Sequence, residues 1–261
     1  MSVPQSMLIT SCYHGDISVV KLLLKRVQTD VNEQREIDGK SPLIISVERG
    51  QVKIVRALCQ KYSLDINQVD NKNRSALYHA CYNGHLAIVR RLLATDGIMV
   101  NQRGPNGETA LHAATKFGHT LCVKELLNQS EVNVNMRSEL GETALFMAAE
   151  YNHYSIVKKL LSVTGINACL ALHDGTSPVE ISIRRNHLNK RTELLLKNYL
   201  RKPLPNIRCV GCLNNQNMVV LVSCGHQVIC SDCFPNINVN NDGDRLCPMC
   251  RGLIRERLSI T

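Results

Sequence analysis

Between Cys209 and Cys250, seven cysteines and one histidine fall in four close pairs: Cys209/Cys212, Cys224/His226, Cys230/Cys233 and Cys247/Cys250. Thiolates and imidazoles are the donors a tetrahedral zinc ion prefers, and two of them with one or two residues between can face one ion across a tight turn. Eight donors make two four-ligand sites. A site closed by four protein ligands leaves no position for water or substrate, so the expected zinc is structural and not catalytic. Two other arrangements use paired cysteines: zinc ribbons in succession, or a cluster of disulfides. Disulfides need an oxidising compartment. The opening residues, Met1-Ser-Val-Pro-Gln-Ser, show no basic segment followed by an apolar run that would direct the chain to one.

The other five cysteines (Cys12, Cys59, Cys81, Cys122 and Cys169) are scattered, each where a small apolar residue is wanted. They are expected as buried, reduced thiols. No apolar stretch approaches the roughly 18 residues that cross a bilayer. A soluble cytoplasmic protein without a membrane partner is therefore expected, with the nucleus as an alternative place. The sequons at Asn73 and Asn128 then stay unglycosylated. The formal net charge is +9. Seven thiolates and two zinc ions would add about −3, leaving roughly +6. The basic residues are spread over many segments, and only Arg184, Arg185, Lys190, Arg191, Lys197, Arg201 and Lys202 gather. That reads as a solvated basic face, and nucleic acid is not the expected partner.

The elements that carry this cysteine-rich end are repetitive. Gly39-Lys-Ser-Pro-Leu, Asn73-Arg-Ser-Ala-Leu, Gly107-Glu-Thr-Ala-Leu, Gly141-Glu-Thr-Ala-Leu and Gly175-Thr-Ser-Pro-Val each begin 34 residues after the last. A matching start at Ser6-Met7-Leu8 makes six units, with one extra residue between Gly15 and Gly50. A repeat of this period means a solenoid of stacked units. Ser or Thr followed by Pro or Ala is helix-start chemistry, and Gly84 and Gly118 suit the left-handed residue that ends a helix. A second helix per unit carries Ile88-Val89-x-x-Leu92-Leu93, repeated as Cys122-Val123-x-x-Leu126-Leu127 and Ile156-Val157-x-x-Leu160-Leu161. That spacing forms one buried helical face. Val31-Asn32, Ile66-Asn67, Val100-Asn101 and Val134-Asn135 then lead into a hairpin before the next unit.

The period fits tetratricopeptide repeats as well as ankyrin repeats, and the internal pattern separates them. Thr109-Ala-Leu-His-Ala-Ala-Thr-Lys-Phe-Gly-His resembles the ankyrin signature TPLHxAAxxGH. The small pairs Ala80-Cys81, Ala113-Ala114 and Ala148-Ala149 let neighbouring helices approach. His112 is expected as a structural histidine near its helix start, and His79, His153 and His187 lack ligand spacing. The sixth unit puts Ser182 and Ile183 at the small-pair position and reads as a terminal cap. The resemblance implies a concave surface lined by hairpin tips and first-helix ends. Here these are Glu48-Arg49, Tyr82-Asn83, Lys116-Phe117, Glu150-Tyr151 and Arg184-Arg185. Tyr82, Phe117 and Tyr151, read as one position of three successive units, are the expected target contacts, because aromatics anchor interfaces. The alternative is that they pack on neighbouring units.

The donor order, three cysteines, one histidine and four cysteines, resembles a RING finger; LIM and PHD fingers place their single histidine elsewhere in the series. The resemblance implies interleaved pairs, with Cys209, Cys212, Cys230 and Cys233 on one zinc and Cys224, His226, Cys247 and Cys250 on the other. It also implies an activity. RING domains of this kind bind a ubiquitin-conjugating enzyme and speed transfer of its thioester-linked ubiquitin to a lysine, contributing orientation and no nucleophile. Pro248 inside the last pair, Val210 inside the first and Phe234 after the third are the implied enzyme contacts. Arg251, directly after Cys250, matches the arginine that bridges enzyme and ubiquitin, since a planar guanidinium can donate to carbonyls of two partners. Two features depart from ligase RINGs: Gly211 stands where an apolar residue is more usual, and the polar stretch from Phe234 to Leu246 lacks a tryptophan. The ending is similar to RINGs of inhibitor-of-apoptosis and Mind bomb type, several of which dimerise through a short C-terminal strand. Leu253, Ile254, Leu258 and Ile260 would form its apolar contacts in a RING homodimer; an ordinary solvent-facing strand is the alternative.

The expected architecture is an all-α ankyrin-repeat solenoid over residues 1–200, a proline-containing linker over 201–208 and a small zinc-stabilised RING with a C-terminal strand over 209–261. The expected function is that of a RING-type ubiquitin ligase whose array holds an unknown protein target while the RING recruits the ubiquitin-charged conjugating enzyme. A non-catalytic adaptor is one alternative, and a nucleic-acid-binding regulator using the basic sixth unit is another.

Overall fold

The computed structural model describes residues 6–185 and 190–200 and the backbone of three strands in the C-terminal segment. The chain forms two compact units, Met1–Asn133 and Val134–Thr261. The division falls between the fourth and fifth repeats.

The first unit is four helix pairs: α1 (Met7–His14) with α2 (Ile17–Leu24), α3 (Pro42–Glu48) with α4 (Val52–Leu58), α5 (Ala76–Tyr82) with α6 (Leu86–Leu93), and α7 (Ala110–Lys116) with α8 (Thr120–Leu127). None exceeds eight residues, below the roughly 12 to 15 that an isolated helix needs. Their stability comes from stacking. The first helices α1, α3, α5 and α7 pack in series, as do the second helices α2, α4, α6 and α8.

The starts form as the sequence predicts. Ser41 Oγ accepts from the Ile44 amide at 3.4 Å and Ser75 Oγ from that of Tyr78 at 3.2 Å, satisfying amides left unpaired at a helix N-terminus. Pro42 occupies the first helical position behind its serine. Between the helices of a pair the chain turns through a left-handed residue, Gly84 at φ +71° for example. Gly84 is needed twice over, because a Cβ there would lie 2.5 Å from the His119 ring of the next repeat.

The core follows the predicted stripe with one adjustment. Ile88, Val89 and Leu92 are wholly buried, as are Val123 and Leu126 beside the buried Cys122. Leu93 and Leu127, the fourth members of the stripe, are only half-buried. The small pairs Ala80-Cys81 and Ala113-Ala114 are inaccessible, which is what close helix approach requires.

Each hairpin is closed by one backbone bond at its base: Asp70 N–H to Arg74 C=O at 3.1 Å and Gly104 N–H to Glu108 C=O at 2.7 Å. In the first hairpin the bond runs from Arg35 N–H to Lys40 C=O at 3.0 Å, one residue wider. The extra residue between Gly15 and Gly50 is thereby absorbed in a surface loop, where insertions cost least. Among the described residues the hairpins hold a single isolated bridge, Val69 to Ser75, and no extended ladder.

The asparagine after each Val or Ile binds the following repeat with both amide atoms. Asn32 Nδ2 donates to Ser63 C=O at 2.7 Å while its Oδ1 accepts from Asp65 N–H at 2.8 Å. Asn67 does the same with Gly97 C=O and Met99 N–H, at 2.7 and 2.8 Å, and Asn101 with Glu131 C=O and Asn133 N–H, at 2.7 and 2.9 Å.

The second unit contains α9 (Ala144–Glu150) with α10 (Tyr154–Leu160), and α11 (Pro178–Arg184) with α12 (Arg191–Leu200). Asn152 takes the left-handed position at φ 56° that glycine fills elsewhere. Asn135 repeats the amide bridge, to Gly165 C=O and from Asn167 N–H, both at 2.8 Å. Ser177 and Glu180 cap α11 reciprocally at 3.2 and 2.8 Å. Of the cap pair, Ser182 is buried and Ile183 is exposed.

Three strands follow: β1 (Met218–Leu221), β2 (Gln227–Cys230) and β3 (Arg257–Ser259). They form one antiparallel sheet in the order β2-β1-β3, with Val219 opposite Ile229 on one side and Ser259 on the other. β3 thus pairs with β1 within the chain, Leu258 in register with Val220.

Candidate functional site

The predicted aromatic row needs one correction. Phe117 and Tyr151 are the residues that follow α7 and α9, whereas Tyr82 is the last residue of α5, one place earlier in its repeat. The counterpart of Phe117 in the third repeat is Asn83. Tyr82 joins Phe117 all the same, because α5 and α7 pack side by side. The two ring centroids are 4.4 Å apart at 58°, and Tyr78 stacks behind Tyr82 at 6.4 Å. Tyr82 and Phe117 remain 42 and 44 % exposed, so they pack on each other and still present a surface. Tyr151, in the second unit, is equally exposed and stacks on His153 at 6.3 Å.

Sequence reasoning missed the partner of Arg49. The Arg49 guanidinium lies 4.0 Å over the ring of Tyr13, a cation–π contact. The signal was present: Tyr13 precedes Gly15 by two residues, as Tyr82 precedes Gly84. A cavity of about 550 Å³ lies beside this pair, lined by Tyr13, His14, Glu48, Arg49 and Gln51.

Beneath the exposed row, buried charges are matched. Asp70 accepts from Arg74 Nε at 2.9 Å, from the Lys72 and Arg74 amides at 2.9 Å each, and lies 3.0 Å from His79 Nε2. Burial opposes its charge, but the Arg74 and His79 hydrogen bonds outweigh it and hold the carboxyl below its usual range. Burial lowers His79 despite its carboxylate neighbour, so a neutral ring donating from Nε2 fits the site. Tyr78 Oη donates to Glu108 Oε2 at 3.0 Å, and Lys116 Nζ to Glu108 Oε1 at 3.0 Å. His112 is structural, as expected: its Nδ1 accepts from the Thr109 amide at 3.1 Å and lies 2.8 Å from the Thr109 hydroxyl. His79 and His153 fill separate places, at Asp70 and Tyr151.

The array cysteines are thiols within the core. Cys12, Cys59, Cys81 and Cys122 are buried and Cys169 is half-buried. Burial pushes Cys12 up to about 11, against a hydrogen bond with Ser46, and raises Cys59, Cys81 and Cys122. Such thiols are poor nucleophiles and poor ligands.

Most of the second candidate site lies outside the described residues. This holds for Val210, Phe234, Pro248 and Arg251, for Leu253, Ile254 and Ile260, for the linker over 201–208, for His187, and for Cys209, Cys212, Cys224, His226, Cys233, Cys247 and Cys250. Cys230 ends β2, its backbone opposite Met218. The donor set itself, thiolates with one imidazole, is soft and suits zinc.

Comparison with known proteins gives two family matches along the chain. A family model described as ankyrin repeats matches residues 8–103 and 95–171, and one described as a zinc finger of C3HC4 type (RING finger) matches residues 206–257. The chain is similar to a solved ankyrin repeat domain from Acinetobacter baumannii, with a TM-score of 0.66 at 29 % identity over 74 % of this chain and 96 % of that one. A second ankyrin repeat structure, EF0377, has a TM-score of 0.69 at 23 % identity over 76 % of this chain and 100 % of its own, a likeness of fold. Among curated relatives, MND1-interacting protein 1 of Arabidopsis thaliana is 37 % identical over 54 residues, 20 % of this chain and 8 % of that protein. Mitochondrial E3 ubiquitin protein ligase 1 of Drosophila melanogaster is 41 % identical over 46 residues, 18 % and 12 % of the two chains. Baculoviral IAP repeat-containing protein 7 of Xenopus tropicalis is 43 % identical over 47 residues, 18 % and 11 %. The chain spans between 8 and 28 % of the length of the curated relatives it matches. With its repeats matched through most of their length and the cysteine series matched behind them, the chain belongs to the ankyrin-repeat family and carries a RING zinc finger at its C-terminal end.

Proposed function

We propose that this chain is a RING-type E3 ubiquitin ligase in which the repeats hold a protein target and the RING recruits a ubiquitin-charged conjugating enzyme. The observation that carries the reading is the C3HC4 match over residues 206–257, behind an ankyrin array and with one relative named as an E3 ubiquitin protein ligase. The interleaved donors would hold two zinc ions, which supply cross-links to a segment too short for an adequate apolar core and no chemistry at the substrate. Val210, Phe234 and Pro248 are the proposed contacts for the conjugating enzyme. Arg251 is proposed to bridge enzyme and ubiquitin and so favour the geometry in which the thioester is attacked. Tyr82 and Phe117, with Tyr151 in the second unit, are proposed to anchor the target, and the cytoplasm is the proposed location.

The test is a reconstituted ubiquitination assay across a panel of conjugating enzymes, comparing the intact chain with Arg251→Ala and Cys224→Ala. Conjugates made by the intact chain and lost in both variants support the ligase and the bridging arginine. Silence across the panel, from protein shown to hold zinc, leaves a binding adaptor as the function.

A further inference from the structure

In the first unit most cations near the first-helix ends already have a carboxylate. Lys40 Nζ donates to both Glu48 oxygens at 2.9 and 2.7 Å, Arg35 pairs with Asp38, and Lys116 pairs with Glu108 at 3.0 Å. Arg49 is different. It is exposed and lies over Tyr13, yet its guanidinium has no hydrogen bond or ion pair among the described residues. Stacking on an aromatic face engages the flat side of a guanidinium and leaves its in-plane N–H donors available, the geometry that accepts a carboxylate in bidentate fashion. Glu48, the one acid lining the adjoining cavity, is held by Lys40 and does not meet this demand. One first helix along, at the end of α5, the Tyr82–Phe117 pair presents an apolar surface.

We infer that the end of α3 is a target-binding subsite for an aspartate or glutamate side chain of an extended segment. The carboxylate pairs with Arg49 on its Tyr13 platform, and an apolar or aromatic residue of the same segment meets Tyr82 and Phe117. The assignment presupposes that the array is the part that holds the target. The spacing follows from packing: adjacent helices are about 8–10 Å apart and an extended chain advances about 3.3 Å per residue, so the acid and the apolar anchor are about three residues apart.

The test uses a displayed library of random twelve-residue peptides, panned on the full chain and on its Arg49→Glu variant, with matching thermal melts as the folding control. The expected outcome is enrichment on the natural chain of sequences with an acid about three residues from an aromatic or large aliphatic residue. On Arg49→Glu the acidic position should switch to Lys or Arg. An enriched peptide, followed by fluorescence anisotropy, should bind Arg49→Ala about ten- to a hundredfold more weakly, and Phe117→Ala more weakly than the natural chain. Enrichment of apolar sequences without an acid, identical sequences on both proteins, or no enrichment would each overturn the assignment. Panning needs no ubiquitin transfer. A silent ubiquitination assay with the expected enrichment removes the ligase and leaves the subsite; active ligase without the enrichment does the reverse.

Discussion

The repeats and the C-terminal segment use cysteine in opposite ways. In the array it is a small apolar residue: Cys81 and Cys122 are buried behind helix faces, where loss of hydration raises their thiols. Between Cys209 and Cys250 it is spaced for coordination, in pairs that no apolar periodicity would produce. The array distributes its stability over many equivalent contacts, so no single residue decides the fold. A RING concentrates it in a few donors, and each one matters. The difference teaches that a residue's role follows from its spacing relative to the local structural period.

Metal removal should break this comparison most widely. A strong chelator should abolish ubiquitin conjugation, a loss expected to exceed about a hundredfold because structural zinc contributes on the order of 10 kcal/mol to such domains. The far-UV circular dichroism melt of the helices should stay in place. Thiol titration sharpens the point: before chelation only the half-buried Cys169 should react readily, and afterwards the seven cysteines between Cys209 and Cys250 should join it. Loss of the helical melt on chelation would show that the two regions do not depend on separate forces.

Within the array, glycines separate steric from conformational demands. Gly84→Ala meets both a positive φ and the His119 ring, and should cost about 2–3 kcal/mol in urea denaturation. Gly97→Ala, at φ +78° with nothing within 4 Å, should cost about 1 kcal/mol. Equal costs would mean that the His119 ring moves aside freely. Next comes Asn67→Ala, which removes two bonds to the following repeat and should cost about 1–2 kcal/mol. An unchanged urea midpoint would reduce the asparagine bridge to an ornament of the surface.

The smallest expected effect is one of pH. Because His79 is held below its ordinary value, the unfolded chain binds that proton more readily than the folded one. Stability is then full above about pH 6.5 and declines as pH falls toward the lowered folded value, by at most about 1.4 kcal/mol per pH unit. Asp70, bonded to His79 and also lowered, acts in a more acidic window: its contribution is present above about pH 3.9 and is lost as pH falls through its folded value. Urea midpoints between pH 7.5 and 5.5 should fall for the natural chain and fall less for His79→Gln. Parallel slopes would assign the effect elsewhere.

The sequence by itself determined much of this protein. Helix starts at Ser41, Ser75 and Ser177, left-handed turns at Gly84 and Gly118, and buried faces such as Ile88-Val89-Leu92 all depend on neighbours within about one turn, so spacing reports them. The donor series was legible for the same reason, one or two residues lying between the members of each pair. Tertiary structure decided what connects residues about thirty places apart. It gave Asn67 partners at Gly97 and Met99, and placed the extra residue in the Arg35–Lys40 hairpin. It brought Tyr82 against Phe117 although they stand at different repeat positions, and laid Arg49 over Tyr13. A period in sequence records which face a residue occupies. Which side chain it meets on the next repeat depends on how the helices stack, and only the folded chain contains that information.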